Sequence, residues 1–188
     1  RSSDLASKAT PRGAAAKFAT AGKEADKKDL GMIAMAYGNV YVARVAFAAK
    51  DAQTVKAFVE ADSYRGPSLV LAASPCIAHG YDLSLGAEQQ KKAVDSGVWP
   101  LYRWDPRRVP KGQPPLSLDS PPPKISPIEY MQNETRFRMV ERRDPERFRR
   151  LMAAAEQMTT RRVALYQHLA KLTVPDGAAP DAAGDGDR

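Results

Sequence analysis

The chain has 188 residues, 43% hydrophobic and 27% charged, with a formal charge of +7. This is enough chain for one domain with a sizeable core. No apolar run approaches the roughly 18 residues that span a bilayer, and the first residues lack the pattern of a secretory signal. The single cysteine excludes an internal disulfide, which fits a cytoplasmic protein. Because the chain begins with Arg, we expect it to be a piece of a longer protein.

The first predicted elements are a helix, a second helix and a strand. Residues 1–28 are small, polar and basic, and Thr10 followed by Pro11 predicts a helix start. A short apolar helix is predicted over 30–37, ending at Gly38. The β-branched and aromatic stretch over 40–47 predicts a buried strand.

A parallel βαβ unit is predicted next. Asp51 can begin a helix on which Val55, Phe58 and Val59 share one face. The run "SLVLAA" then follows without polar alternation, which is typical of a parallel strand. Its carboxyl end lies at 74–76, where open α/β sheets place their ligands.

The middle of the chain alternates regular and extended structure. The stretch 84–97 predicts a helix ending at Gly97, and 99–105 predicts a short strand. The segment 106–125 contains seven prolines, so it can be neither a helix nor a central strand. We expect it to run extended over a surface.

Two long helices are predicted near the C-terminus, over 128–143 and 145–172. Ser126 and Asp144 are the expected caps, each followed by a proline. From 127 to 173 there are ten basic and six acidic side chains, intermixed as in "RFRMVERRDPERFRR". Such mixing is typical of solvated helix faces with ion pairs. A basic nucleic-acid-binding module using Arg136 to Arg162 stays an alternative, and a membrane-surface helix is disfavoured.

Residue chemistry alone offers few functional candidates. Cys76 follows the predicted strand, and an isolated cysteine is most often a buried packing residue. His79 lies three residues further on, but two ligands do not complete a metal site. His168 is expected at the surface. The chain has no nucleophile elbow, phosphate-binding glycine loop or zinc-binding helix motif.

Five strings are more informative when they are compared with known families. "ASKATPRGAAAKFATAGK", "KKDLGMIAMAYGNVYVARVAF", "GPSLVLAASPCIAHG", "SGVWPLYRWDPR" and "PLSLDSPPPKI" occur in this order. The chain thereby resembles, over residues 6–172, the thiamine-diphosphate domain of pyruvate:ferredoxin (flavodoxin) oxidoreductases.

The resemblance implies a redox enzyme. In that family, pyruvate is decarboxylated on thiamine diphosphate, which is bound with Mg²⁺, and coenzyme A accepts the acetyl group. The electrons leave through iron–sulfur clusters to ferredoxin or flavodoxin. The enzymes of the family are homodimers. By resemblance, Cys76 is the fourth thiolate of a four-iron, four-sulfur cluster whose other ligands precede residue 1. Dispersed thiolates are normal for such clusters.

The chain departs from the family at the cofactor motifs. No GDG segment precedes "ASKATP" in this chain, and "RSSDL" stands where the family has a thiamine-contacting motif, so no catalytic or cofactor-binding residue is assigned. Lys8 and Thr10 are expected to support the cofactor pocket from outside it. The chain alone is expected to be inactive and poorly soluble. An oxidoreductase for another 2-oxo acid stays an alternative.

The sequence therefore predicts an α/β fold: part of a thiamine-diphosphate-binding fold with a mostly parallel sheet and flanking helices, a Pro-rich segment and two long helices. Residues 6–105 are assigned to the C-terminal half of that domain, 106–125 to the Pro-rich segment and 126–173 to the helical arm. Residues 174–188 are predicted to be a disordered tail, and residues 1–5 to be a sequencing or cloning scar.

Overall fold

The computed structural model describes residues 7–175, so the predicted scar and residues 176–188 of the predicted tail lie outside the described residues. It confirms the α/β class. A four-stranded mixed sheet has the order β2-β1-β3-β4. The strands are β1 (Tyr41–Val45), β2 (Ser68–Ala72), β3 (Tyr102–Trp104) and β4 (Leu116–Leu118). The helices are α1 (Leu30–Met35), α2 (Asp51–Asp62), α3 (Gly86–Asp95), α4 (Pro127–Gln132), α5 (Thr135–Arg143) and α6 (Pro145–Leu169).

The predicted βαβ unit is present. Strands β1 and β2 pair in parallel, with Tyr41 opposite Ser68 and Val45 opposite Ala72, and α2 connects them. Helix α1 begins where predicted, because the Asp29 side chain accepts a hydrogen bond from the Met32 amide at 3.3 Å. Every residue of β1 is buried, so this strand is the centre of the sheet.

The sheet is mixed rather than mostly parallel. Strand β3 runs antiparallel to β1, and β4 runs antiparallel to β3. The Trp99 indole donates a hydrogen bond to the Val45 carbonyl at 3.0 Å. This bond places the residues just before β3 at the carboxyl end of β1. Strand β3 therefore starts at that end and can pair with β1 only in the antiparallel direction.

The helix predicted from Thr10 is wrong. Residues 7–29 form turns, in which the Gly13 amide donates to the Lys23 carbonyl at 2.8 Å and Gly13 has a φ of 81°. The buried Lys23 ammonium donates to the carbonyls of Thr10 at 2.7 Å and Ser7 at 3.0 Å. A right-handed helix requires a negative φ at every residue, so the left-handed conformation of Gly13 excludes a helix here, and the Lys23 ammonium stabilises the turns through its bonds to these two carbonyls.

The Pro-rich segment is only partly extended. A 3-10 helix forms over Pro106–Lys111, which contradicts the prediction that this segment contains no helix. Asp105 caps it by accepting from the Arg107 amide at 3.0 Å, and Pro106 needs no amide donor in the first turn. Strand β4 lies at the sheet edge, as the prolines require.

The predicted helix over 128–143 is divided at Glu134 into α4 and α5. Glu134 has an extended backbone (φ −102°, ψ 127°) and a fully buried side chain. The helix predicted over 145–172 is confirmed as α6, and Asp144 caps it by accepting from the Arg147 amide at 2.9 Å. Within the described residues, no helix is long and apolar enough to cross a membrane.

Helix α2 turns its apolar face away from the sheet. Its buried residues are Gln53, Thr54 and Ala57. Val55, Phe58 and Val59 share a face, as predicted, but each is more than half exposed. Helix α2 therefore presents an apolar surface that no described residue covers.

Candidate functional site

Cys76 lies in the loop after β2 and is only half-buried. Its backbone is extended (φ −145°, ψ 133°) and its carbonyl accepts from the His79 amide at 3.0 Å, which opens a short turn. The neighbouring Ser74, Pro75 and Ile77 are exposed. Cys76 is therefore not a fully buried packing residue of the core.

The described residues do not surround Cys76 with further metal ligands. Within 7–175, no cluster of three or more His, Cys, Asp or Glu side chains has metal-site geometry. The His79 ring lies 3.8 Å from a Glu134 carboxylate oxygen, and burial followed by Arg136 lowers its pKa. His168 is exposed on α6, as expected.

Lys8 and Thr10 act through their backbones. The Lys8 carbonyl accepts from the Lys28 amide at 2.9 Å, and the Thr10 carbonyl accepts from Lys23. Neither residue lines the cavity described next, although the adjacent Ala9 and Pro11 do. Their expected supporting role stays a prediction.

A cavity of about 350 Å³ opens beside the carboxyl end of β2. We call it the cationic cavity, because five basic side chains line it: Arg12, Lys27, Arg44, Arg136 and Arg162. Glu134 is the single carboxylate in the lining. Sequence reasoning missed this site because its residues come from segments far apart in the chain and match no short motif.

Glu134 is the acidic centre of the cavity wall. It accepts hydrogen bonds from Gln89 at 3.1 Å, from the Tyr130 hydroxyl at 3.1 Å and from Arg136 at 2.6 Å. Burial, followed by the Glu134 charge, raises the pKa of Tyr130. Three donors thus satisfy this buried carboxylate, which fixes where α4 ends and α5 begins.

Arg44 and Lys27 lie around Trp99 on another wall. Arg44, on β1, is 4% exposed. Its guanidinium carbon lies 3.9 Å from the Trp99 ring centre, and one of its terminal nitrogens donates to the Val98 carbonyl at 3.3 Å. Its Nε has no hydrogen-bond partner among the described residues. The aromatic ring holds the guanidinium without neutralising it.

The Lys27 ammonium lies 5.0 Å from the same ring centre. Burial, followed by the charges of Arg44, Arg136 and Arg162, lowers the pKa of Lys27 to about 8. In the part of the chain that the structure describes, neither Lys27 nor Arg44 forms an ion pair with a carboxylate. The cavity therefore disfavours cations and suits an anion.

Comparison with known proteins identifies relatives over most of the chain. No family model matches it. A pyruvate-flavodoxin oxidoreductase of Rhodospirillum rubrum is 56% identical over 164 residues, which is 87% of this chain and 14% of that protein. The chain belongs to the pyruvate-flavodoxin oxidoreductase family. This confirms the resemblance carried by the five strings, and the chain spans about 14% of the length of such relatives.

Other members of the family differ in the electron acceptor that their names state. A pyruvate:ferredoxin oxidoreductase of Moorella thermoacetica is 44% identical, covering 88% of this chain and 14% of that protein. A mitochondrial pyruvate dehydrogenase [NADP(+)] of Euglena gracilis is 40% identical, covering 93% of this chain and 10% of that protein. The segment represented here is thus common to relatives named for three different acceptors.

Proposed function

We propose that the chain is part of a longer enzyme that oxidises pyruvate with coenzyme A and passes the electrons to flavodoxin or ferredoxin. The similarity to pyruvate-flavodoxin oxidoreductases over 87% of the chain carries this proposal. The exposed apolar face of α2 supports it, because a surface of this kind is normally covered by further protein. In this view, the cover is the rest of the enzyme or the second subunit of a homodimer.

Within that enzyme, Cys76 is proposed to be one thiolate ligand of a four-iron, four-sulfur cluster. Its half-buried position in an extended loop suits a ligand that must meet a cluster held largely by other residues. The donor chemistry also fits, because soft thiolates are the ligands that such clusters use. When bound, the cluster supplies one-electron transfer. A reducing compartment such as the cytoplasm would keep this thiol available.

Thiamine diphosphate and Mg²⁺ are proposed to be bound mainly outside the described residues. The described residues offer no acidic cluster suited to a metal ion. The role of this segment is then to build the wall of the domain beside the strand ends of β1 and β2, with Lys8 and Thr10 nearby. We assign none of its residues a step in pyruvate chemistry.

The structure gives less support to the nucleic-acid alternative. Arg136 and Arg162 line the cationic cavity. Arg147 pairs with Glu24 at 2.9 Å and donates to the Ala21 carbonyl at 2.7 Å. Several arginines of this stretch therefore serve internal contacts rather than forming a free basic surface.

A substrate-dependent reduction assay tests the proposal. The full enzyme containing this chain should reduce flavodoxin or ferredoxin when pyruvate and coenzyme A are both present. Each omission should abolish the reaction, and the 188-residue chain alone should be inactive. Preference for 2-oxoglutarate or another 2-oxo acid over pyruvate would favour the alternative substrate class, and full activity of the isolated chain would contradict the proposal.

A further inference from the structure

The cationic cavity contains more positive charge than its surroundings neutralise. Three of its five basic side chains have acidic partners. Arg12 pairs with Asp26 at 2.6 Å, Arg136 with Glu134 at 2.6 Å and Arg162 with Asp29 at 3.6 Å. Lys27 and Arg44 remain, and in residues 7–175 no carboxylate forms an ion pair with either.

Among the described residues, the acidic group that raises the pKa of Lys27 is Asp29, and this carboxylate is already engaged. Asp29 contributes to that pKa, but its carboxylate also accepts from the Tyr166 hydroxyl at 2.8 Å and pairs with Arg162. Burying two positive charges near each other is energetically unfavourable unless an anion binds between them. The Nε of Arg44 has no hydrogen-bond partner among the described residues, so the guanidinium is neither paired with a carboxylate nor fully hydrogen-bonded.

We propose that the cationic cavity binds a small organic phosphate whose phosphoryl group contacts Arg44 and Lys27. Two unpartnered cations call for two negative charges, and a phosphate monoester carries nearly two at neutral pH, whereas a monocarboxylate carries one. Arginine also presents a planar fork of donors that matches phosphate oxygens. The volume of about 350 Å³ lies within the range of small-molecule sites and leaves room for the organic part.

The cavity borders the loop that contains Cys76, because Ser74, Pro75 and His79 are in its lining. Cys76 does not line the cavity, and none of the basic residues is adjacent to it in sequence. The inference rests on Arg44 and Lys27, which belong to other segments of the chain than this loop.

Calorimetric titration of the full enzyme with inorganic phosphate and with glycerol phosphate, at low salt and fixed pH, tests the site. Lys27→Met should weaken phosphate binding by about tenfold or more, since one charge-assisted contact is lost. Lys28→Met is the matched control, because Lys28 is the next residue, is exposed and does not line the cavity; it should change affinity by less than about twofold. Absence of phosphate binding, or equal affinity in Lys27→Met, would overturn the proposal.

A second readout avoids the risk that variants of the buried Arg44 do not fold. A lysine with a pKa of about 8 reacts readily with amine reagents near that pH, whereas ordinary lysines stay protonated. Bound phosphate should favour the charged ammonium and slow labelling of Lys27 but not of Lys28. Unchanged labelling of Lys27 would contradict the site. Loss of phosphate binding on saturation with thiamine diphosphate or coenzyme A would show that the phosphate occupies the site of that ligand, and it would overturn the proposal of a further site.

Discussion

The full enzyme with Cys76→Ser is expected to lose about four iron atoms and four sulfides per subunit, the content of one cluster. A serine oxygen is a harder ligand than a thiolate and binds iron in such clusters poorly. Loss even of an outer-shell partner costs about 10- to 100-fold in metal affinity or activity. We therefore expect pyruvate-dependent electron transfer to fall by at least about a hundredfold. Iron and sulfide analysis, with the electron paramagnetic resonance spectrum of the reduced enzyme, provides the measurement.

Ser74→Ala supplies a matched control for that loss. Ser74 lies in the same loop, is exposed and makes only a hydrogen bond to the next carbonyl. Its removal should leave the iron content unchanged. If Cys76→Ser retained full iron content while remaining folded by circular dichroism, Cys76 would not be a cluster ligand.

Gly31→Ala is expected to destabilise the sheet although it lies in a helix. Alanine normally stabilises a helix by about 1 kcal/mol relative to glycine. Here the new Cβ would overlap the Tyr102 hydroxyl and lie 3.1 Å from Tyr102 Cζ. Tyr102 is fully buried, and its ring stacks on Tyr166 with centroids 4.8 Å apart, so it cannot move freely. Overpacking of this kind costs about 1–3 kcal/mol, which exceeds the gain in helix propensity or cancels it.

Hydrogen exchange measures this effect within the full chain. Amides of α1 and β1 should exchange faster in Gly31→Ala than in the native chain. Addition of Tyr102→Phe removes the overlapping oxygen and should restore most of the protection. Slower exchange in Gly31→Ala alone would show that the close packing of Tyr102 on α1 is not a constraint.

Local signals explain why much of the fold could be predicted. Asp29 and Asp144 begin helices by accepting hydrogen bonds from amides three residues later, and these preferences depend on a few neighbouring residues. The parallel pair β1 and β2 follows from two apolar runs separated by a helix. Family membership could be recognised from the five longer strings, because several matching stretches of residues in the same order carry information that amino-acid composition does not.

The features that sequence reasoning missed depend on contacts between distant residues. The turns around Gly13 are stabilised by the Lys23 ammonium, which binds the carbonyls of Ser7 and Thr10, 16 and 13 residues earlier in the chain. The break between α4 and α5 exists because Glu134 is held by Gln89, 45 residues away in the chain. The cationic cavity likewise combines residues from 9 to 162. Periodicity along a segment contains no information about such partners.

The outward face of α2 is a different case. Val55, Phe58 and Val59 form the apolar face that the sequence indicates, yet Gln53 and Ala57 face the sheet. The pattern correctly identified a surface that needs a partner, but it does not state where the partner lies. If this segment belongs to a longer enzyme, as proposed, that partner is further protein.

The most direct test of this account is to read the DNA upstream of the codon for Arg1. We expect the reading frame to remain open and to encode a GDG segment and three further cysteines, two of them close together. These cysteines would complete the ligand set to which Cys76 contributes. An in-frame start codon immediately before Arg1, or a long upstream frame without cysteines, would contradict the claim that Cys76 shares a cluster with the rest of an oxidoreductase.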